Sequence, residues 1–272
     1  MEGRLCLVTG ASSGIGFATC KGLAERGATV IMACRDGQRG AAAAAAVRAV
    51  SRSGAVESMQ LDLASLASIH DFAAQVQNWF GRLDVLINNA GVATRSRQRT
   101  ADGFELQFGV NHLGHFALTR LLLPLLEQST DGRVAVVSSA LHRAGKIAWD
   151  DLQSDKQYRM MQAYAQSKLA NILFARELAR RSPALAVNAL HPGGAATAIM
   201  RELPAPARAL IRVFSGSPER AAQGSIHLAA SDSARGISGR YFVRCTEQPP
   251  AAAARDAEAA RRLWEVSEAL VG

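Results

Sequence analysis

Residues 5–16 read LCLVTGASSGIG, an apolar run that passes into a glycine-rich turn. The run Leu5–Thr9 predicts a buried strand, and the glycines predict a tight turn into a helix. Such a turn lets the backbone approach a pyrophosphate, whose charge the N–H groups and dipole of a helix start stabilise. The spacing Gly10-x-x-x-Gly14-x-Gly16 differs from the common Gly-x-Gly-x-x-Gly fingerprint. We predict a dinucleotide-binding turn, with an ordinary strand-to-helix loop as the alternative, and with contacts from Gly10, Ser12, Ser13, Gly14, Ile15 and Gly16.

Six further apolar runs follow, separated by segments of helical length. They are Thr29–Cys34, Ala55–Leu61, Val85–Asn88, Val134–Ser138, Ala186–Leu190 and Arg240–Val243. Strands that alternate with helices indicate an α/β fold, and continuously apolar strands indicate a parallel sheet covered on both faces. The right-handed crossover rule then favours a Rossmann-type doubly wound parallel sheet of about seven strands, in the order 3-2-1-4-5-6-7.

The length of 272 residues predicts a single domain, residues 1–272. Prolines and glycine interrupt the strand–helix rhythm at Glu202–Pro218, so we predict a substrate lid around residues 198–218. Five apolar residues there predict a bulky, largely apolar substrate, with packing of the segment onto the domain as the alternative. They are Leu203, Leu210, Ile211, Val213 and Phe214.

The net charge of +8 is spread along the chain, and aromatic residues make up only 6%. No nucleic-acid partner is therefore expected, because basic and aromatic residues do not alternate as they do where bases stack. Cys6, Cys20, Cys34 and Cys245 lack Cys-x-x-Cys spacing, which predicts reduced core thiols and a cytoplasmic location. No apolar run reaches the ~18 residues that cross a bilayer, and an early strand leaves no room for a signal peptide, so no membrane anchor is expected.

Arg35 stands at the end of the second predicted strand, where an NAD-specific site places a carboxylate for the ribose hydroxyls. A guanidinium at this point can pair bidentately with a 2′-phosphate. We predict NADP(H) as the cofactor, with NAD(H) less favoured. The alternative is a solvated arginine at a strand end, and the neighbouring Asp36 keeps that alternative open.

Tyr164 and Lys168 lie four residues apart in a helical segment, so both side chains face the same side. A free phenol titrates near ~10, and an adjacent cation lowers that pKa by ~1–3 units. The pair can then act as an acid and base near neutral pH. Because this spacing is common by chance, an exposed helix face is the default alternative.

Five groups of residues together resemble the short-chain dehydrogenase/reductase family over almost the whole chain. They are Thr9-Gly10-x-x-x-Gly14-x-Gly16, Asp62-Leu63, Asn88-Asn89-Ala90-Gly91, the set Asn111, Ser139, Tyr164 and Lys168, and Pro192-Gly193 followed by Thr197. Within that family the chain is most similar to the retinol dehydrogenase-like branch. That similarity is carried by residues 100–105 (TADGFE), 110–116 (VNHLGHF), 151–154 (DLQS), 167–171 (SKLAN) and 238–242 (SGRYF).

The resemblance implies a carbonyl reductase or alcohol dehydrogenase with four catalytic residues. Tyr164 would donate a proton to the carbonyl oxygen, and Lys168 would hold the nicotinamide ribose and lower the tyrosine pKa. Ser139 would orient the substrate oxygen, and Ser138 would satisfy local hydrogen bonds. Asn111 would anchor a water that links Lys168 to solvent.

The resemblance also implies the rest of the cofactor site. Asp62 and Leu63 would bind the adenine, and Asn89 and Gly91 would lie at the adenosine ribose. The nicotinamide pocket would be formed by Pro192, Gly193 and Thr197. Relatives pair through the helices that correspond to Phe104–Leu126 and Tyr158–Arg181, so a homodimer or homotetramer is expected.

Other chemistries receive less support from the sequence. His112 and His115 could ligate zinc, but a third ligand is missing nearby, so structural roles are favoured and no metal site is predicted. No Gly-x-Ser-x-Gly elbow accompanies Ser139 and His142, which argues against a hydrolase. The loop residues Arg95, Arg97 and Arg99 either steer an anionic substrate or are simply solvated. A non-catalytic, dinucleotide-binding redox sensor is the alternative to an enzyme.

Overall fold

A computed structural model describes residues 1–53, 55–193 and 217–272. The strands among these residues are β1 (Leu5–Thr9), β2 (Thr29–Cys34), β3 (Val56–Gln60), β4 (Val85–Asn88), β5 (Arg133–Val137), β6 (Ala186–His191), β7 (Tyr241–Val243) and β8 (Thr246–Glu247). The α-helices are α1 (Gly14–Ala24), α2 (Gly37–Arg48), α3 (Leu66–Trp79), α4 (Leu106–Phe108), α5 (Gly114–Glu127), α6 (Met160–Arg181), α7 (Pro218–Ala230) and α8 (Ala257–Val271). Short 3₁₀ turns lie at Ala140–Ala144, Asp232–Ala234 and Ala252–Arg255.

The strands form one sheet in the order β3-β2-β1-β4-β5-β6-β7-β8. The predicted Rossmann-type order 3-2-1-4-5-6-7 is confirmed, and the parallel pairings run from β3 to β7. The eighth strand was not predicted. It is antiparallel to β7 because the chain reverses between Val243 and Thr246, which pair directly. It is only two residues long, too short to produce an apolar pattern.

Helices cover both faces of the sheet, as the continuously apolar strands predict. One core contains Leu7, Ile31 and Leu86 of the strands and packs against α3, α5, α6 and α8. The opposite core contains Val8 and Ile87 and packs against α1, α2 and α7. Neighbouring strand residues therefore enter opposite cores, because successive side chains of a strand point to opposite faces.

The predicted helix Phe104–Leu126 is interrupted by a π-helical turn at Gly109–Leu113 between α4 and α5. π-Helices occur mostly as single turns inside α-helices, and such turns are frequent at functional sites. This one holds Asn111, whose side chain bonds the main chain of Val92 rather than solvent. The turn therefore connects the helix to the loop after β4.

The C-terminal helix α8 packs on α5 and α6 of its own chain. The Trp264 ring meets the Phe116 ring edge-on at 4.9 Å and stacks on the Phe174 ring at 6.0 Å. Ser267 Oγ lies 2.8 Å from His112 Nε2, and the guanidinium of Arg181 lies 4.6 Å from the Trp264 ring centroid. α8 therefore covers part of the two helices through which pairing is expected.

Charged residues connect the amino-terminal edge of the sheet to α7. The Asp131 carboxylate pairs with Arg4 and, at 2.8 Å, with the buried Arg133. Arg133 also donates to the carbonyl oxygens of Leu228 (3.3 Å) and Ser231 (2.8 Å). Burial raises the pKa of Asp131, but the arginine hydrogen bonds and charges outweigh burial and lower it to about 2.

Two predictions from the sequence are corrected by this fold. Cys6, Cys20 and Cys34 are buried as expected, but Cys245 is exposed because it lies in the reversal between β7 and β8. The predicted lid ends earlier than residue 218: Ser217 caps α7 through its side chain and Pro218 is the first residue of that helix. The rest of the predicted lid, with its five apolar residues, lies outside the described residues, as does Thr197.

Candidate active site

The glycine-rich turn leaves room for a ligand against its backbone. Gly10 and Gly14 have φ values of 66° and 58°, which side-chain-bearing residues rarely adopt. A Cβ on Gly16 would lie 2.4 Å from Gly10 O, whereas, apart from its chain neighbours and helix backbone, no atom of residues 1–53, 55–193 and 217–272 lies within 4 Å of a Cβ placed on Gly14. Residues 14–17, the first turn of α1, include no acidic side chain, so the helix start can accept an anion. Ser12, Ser13 and Ile15 are half-buried along the same turn.

The turn is held in place by Thr9, a residue that was predicted only as part of the glycine motif. Its Oγ1 accepts hydrogen bonds from the backbone N–H of Asn89 (2.9 Å) and of Ala90 (3.0 Å). The Asn89 side chain returns a bond to Thr9 O at 2.8 Å. The end of β1 and the loop after β4 are thereby joined, which places the predicted residues Asn89 and Gly91 beside the glycine turn.

Thr9 also contacts His115, with Oγ1 2.8 Å from Nε2. Asn111 O can only accept, so the neutral ring carries its proton on Nδ1, and the Thr9 hydroxyl donates to Nε2, which is closer than its other acceptor, Ile87 O at 3.4 Å. Nδ1 then donates to Asn111 O, 3.1 Å away. Burial, with a smaller contribution from Lys168, lowers the His115 pKa to about 4, so the ring is neutral near pH 7.

The structure brings Tyr164, Lys168, Asn111 and Gly91 together beside this network. Lys168 Nζ lies 5.5 Å from the centroid of the Tyr164 ring and donates to Val137 O at 3.1 Å. A Cβ on Gly91 would lie 3.3 Å from Asn111 Oδ1 and 3.4 Å from Lys168 Nζ. Burial lowers the pKa of Lys168 to about 8, so the ammonium group persists at pH 7 and is lost in mild alkali.

The Asn111 side chain is fully engaged with the protein. Its Oδ1 accepts from Val92 N at 2.7 Å, and its Nδ2 lies 3.0 Å from both Val92 O and Ser167 Oγ. These bonds fasten the π-helical turn to the loop after β4 and to α6. The predicted role of Asn111 in anchoring a water stays a prediction.

The two serines after β5 differ in their surroundings. Ser138 donates from Oγ to Lys168 O at 2.7 Å, which is a local structural bond of the kind expected for it. Ser139 Oγ accepts from Leu141 N at 3.3 Å, so its hydroxyl proton can be donated to a ligand. The Ser138 bond also joins the end of β5 to the helix that carries Tyr164.

The residues predicted at the adenosine end lie along the same sheet edge. Arg35 is exposed directly after β2, and Asp36 is used as the cap of α2, accepting from Arg39 N at 3.0 Å. Arg39, which was not among the predicted site residues, is also exposed in the first turn of α2. Asp62 follows β3, and its Oδ1 accepts from Ala64 N at 2.9 Å. Leu63 is buried beside Gly114, where a Cβ would lie 2.6 Å from Leu63 O.

Pro192 and Gly193, which were predicted to form the nicotinamide pocket, directly follow β6. Gly193 has a φ of 92°, and a Cβ there would lie 2.7 Å from Nε of Arg244. Arg244 itself adopts a positive φ of 56°. Only a glycine allows the chain to turn this closely against that guanidinium.

Several residues that were set aside have defined partners. His112 and His115 contact Ser267 and Thr9 respectively, and burial lowers the pKa of His112 to about 3. Arg97 and Arg99 both pair with Asp155, at 2.5 Å and 2.9 Å. These ion pairs join two loops, and Arg95 and Arg99 are exposed, so substrate steering by this cluster stays a prediction.

The arrangement fits a nicotinamide dinucleotide. The edge combines an anion-accepting helix start, the backbone of Gly14, over which no side chain of the described residues lies, and a buried ammonium group beside a phenol. These features lie along the carboxyl ends of β1, β4, β5 and β6, where open parallel sheets bind ligands. None of the described helices is long and apolar enough to cross a membrane.

Comparison with known proteins gives the same picture. The family described as short chain dehydrogenase matches residues 4–207. Human retinol dehydrogenase 14 is 45% identical over 293 residues, which cover 100% of this chain and 87% of the relative. An uncharacterised protein from Mycobacterium paratuberculosis has a crystal structure with a TM-score of 0.81 and 39% identity, covering 99% of this chain and 94% of the other. The Pseudomonas aeruginosa RhlG/NADP active-site complex has a TM-score of 0.70 and 28% identity, covering 89% and 95%.

Proposed function

The chain belongs to the short-chain dehydrogenase family, and from that premise we propose that it reduces or forms a carbonyl group with NADP(H) on a bulky, largely apolar substrate. Members of this family are NAD(P)-dependent oxidoreductases that act on CH–OH and C=O groups, and this chain is one of them. The proposal adds the cofactor preference, the substrate class and the roles of individual residues. The observation that carries it is the buried Lys168 ammonium beside the Tyr164 ring, at the sheet edge that carries the glycine turn.

In the proposed reaction Tyr164 donates its phenolic proton to the carbonyl oxygen of the substrate. The ammonium group of Lys168 favours the phenolate that remains, because opposite charges a few ångströms apart in a buried site attract strongly. Ser139 donates its hydroxyl proton to the same substrate oxygen and holds it within reach of the phenol. When bound, the dinucleotide would supply hydride chemistry at the carbonyl carbon, next to the proton that Tyr164 gives to the oxygen. In alcohol oxidation the same groups move the proton in the opposite direction.

The preference for NADP(H) is argued from charge. Arg35 and Arg39 are exposed on either side of Asp36, whose carboxylate is occupied by capping α2. Two guanidinium groups can bind a 2′-phosphate, whereas a ribose 2′-hydroxyl prefers an acidic acceptor. The related RhlG of P. aeruginosa forms a complex with NADP, which agrees with this preference.

The substrate class is argued from the relatives. Human retinol dehydrogenase 14 is named for a long apolar alcohol, and its identity of 45% extends over all of this chain. We therefore expect alcohols and carbonyl compounds of large apolar area to be preferred over small hydrophilic ones.

The assay is NADPH oxidation or NADP⁺ reduction with a panel of ketones, aldehydes and retinoids, including small hydrophilic members. Turnover of bulky apolar compounds is expected, and Tyr164→Phe should lower kcat by roughly 10²–10⁴-fold. The variant should still bind NADPH. A redox sensor would instead bind the dinucleotide tightly, turn over nothing, and be indifferent to the substitution. A preference for small hydrophilic substrates would contradict the proposed substrate class but not the proposed reaction.

A homodimer or homotetramer in the cytoplasm remains our expectation. Because α8 covers part of α5 and α6 within one chain, association would have to use other parts of those helices or other surfaces. Light scattering on the purified protein measures the state directly.

A further inference from the structure

His142 lies in the 3₁₀ turn Ala140–Ala144 that follows Ser139, and its side chain is completely buried. Its Nδ1 lies 2.7 Å from Ser139 O, and its Nε2 lies 3.1 Å from Ala251 N. The ring is backed by Tyr241, with centroids 4.9 Å apart. A single imidazole thus connects the residue expected to orient the substrate with a segment 109 positions further along the chain.

These contacts determine which ring nitrogen carries the proton. A backbone N–H can only donate, so Nε2 must accept from Ala251 and the proton of the neutral ring is on Nδ1. Nδ1–H then donates to Ser139 O. Burial lowers the His142 pKa, which keeps the ring neutral near pH 7. Neither nitrogen can serve as a base toward Ser138 or Ser139, so a hydrolase-like role is excluded by geometry.

The donor from the C-terminal side is the backbone amide of Ala251. Ala251 follows Pro249 and Pro250, which have no N–H, so its amide is the first that this stretch can offer. Arg143 Nη2 donates a second hydrogen bond, to Pro249 O at 3.1 Å. The segment Pro249–Ala251 is therefore held against the turn by two bonds, one of which passes through His142.

On its other side the 3₁₀ turn packs closely against α6, the helix that carries Tyr164. A Cβ on Gly145 would lie 2.5 Å from Ala165 O, the residue after Tyr164. Ser139 O receives two donors, His142 N at 3.1 Å and His142 Nδ1 at 2.7 Å. Two bonds from His142 thus hold the main chain of Ser139. The close approach of Gly145 to α6 leaves the turn little room to move toward that helix.

We propose that His142 is a positioning residue: as a neutral Nδ1–H imidazole it holds Ser139 at the distance from Tyr164 that the reaction requires, and the amide of Ala251 fixes the ring tautomer that makes this bond possible. The inference rests on the role proposed above for Ser139. A buried histidine with a merely structural role would contribute stability without setting the rate of hydride transfer, and the two roles are separable.

Two substitutions test the bonds of the two ring nitrogens separately. His142→Asn places an amide donor near the position of Nδ1 and loses the acceptor for Ala251, whereas His142→Gln places an amide near the position of Nε2 and loses the bond to Ser139. His142→Phe loses both. The control for lost stability is Ser267→Ala on α8, which removes a buried hydrogen bond to His112 of the π-helical turn.

The measurements are kcat and KM for the best carbonyl substrate, NADPH affinity by fluorescence, and melting temperature. His142→Phe and His142→Gln should lower kcat by about 10- to 100-fold, the effect of a misplaced group of about 1 Å. NADPH affinity should stay within about twofold, since no bond to the dinucleotide is lost. His142→Asn should recover most of kcat. Ser267→Ala should lower the melting temperature and leave kcat nearly unchanged.

Equal losses of kcat in the Asn, Gln and Phe variants, or full activity in all three, would overturn the proposal. Nitrogen-15 correlation spectra of the histidine rings provide a readout that needs no substrate: the His142 signals should show the Nδ1–H tautomer. An Nε2–H tautomer or an imidazolium near pH 7 would contradict the assignment. A wild-type protein without turnover on any carbonyl compound would reject the proposed function itself, while the tautomer could still be read.

Discussion

Thr9 and His115 are 106 positions apart in the chain, yet Thr9 Oγ1 lies 2.8 Å from His115 Nε2. The threonine hydroxyl also accepts from Asn89 N and Ala90 N, and the histidine donates to Asn111 O. One hydroxyl and one neutral imidazole therefore join the dinucleotide turn, the loop after β4 and the π-helical turn. This chain of bonds connects the proposed cofactor-binding turn to the residue Asn111 of the proposed catalytic set.

Thr9→Val should disrupt this connection while preserving shape. It leaves two part-buried N–H groups without this acceptor and the buried His115 Nε2 without this donor, so we expect a loss of roughly 2–4 kcal/mol in the free energy of unfolding. NADPH binding should weaken as well, because the glycine turn is no longer held. Thr9→Ser keeps the hydroxyl and should lose only about 1 kcal/mol. Urea unfolding followed by circular dichroism measures both; similar losses in the two variants would mean that the hydroxyl is unimportant.

Arg35→Ser should lower the affinity for NADPH by about 10- to 100-fold, the contribution of a charge-assisted bidentate bond. NADH affinity should change little, because its ribose has no phosphate at this position. The control is Arg261→Ser on α8, an exposed arginine that pairs with Glu265 of the same helix. Fluorescence titrations with both dinucleotides compare the variants. Parallel losses for NADPH and NADH would remove Arg35 from phosphate recognition.

The pH dependence of carbonyl reduction should reveal Lys168. Because burial lowers its pKa to about 8, the ammonium group is present below that pH and is lost as the pH rises through it. We expect kcat/KM to decline above about pH 8, since the phenolate of Tyr164 then has no counter-charge. Lys168→Arg keeps its charge in alkali and, although slower, should show no inflection there. An identical inflection in that variant would mean that a group other than residue 168 causes the decline.

Asp131→Asn should destabilise the protein without touching the site. The carboxyl has a lowered pKa of about 2 in the folded state, so its contribution to stability is present above about pH 4 and is lost as the pH falls toward 2. We expect a loss of about 2 kcal/mol at neutral pH, and convergence of wild type and variant in acid. Asp232→Asn, whose pairing with Arg235 is exposed, should leave stability unchanged. A constant difference between wild type and Asp131→Asn at every pH would argue against the ion pairs.

Local patterns in the sequence were sufficient for much of the fold. Apolar runs placed β1, β2 and β4 with the bounds that the structure has, and the crossover rule supplied their order. The same patterns missed β8, which is too short to leave a signal. They also predicted one continuous helix across the π-helical turn at Gly109–Leu113, since helices of either type share similar apolar spacing. Cys245 was misplaced because its exposure depends on a chain reversal.

The sequence alone determined the strand–turn–helix unit at residues 5–16 and the placement of Tyr164 and Lys168 on one helical face, because both follow from backbone geometry within a few residues. Only the tertiary structure decided which partners His115, His142 and Asp155 have. Those side chains meet groups far along the chain, and the choice among polar groups is made when packing excludes water and every buried donor must find an acceptor. No local pattern contains that information.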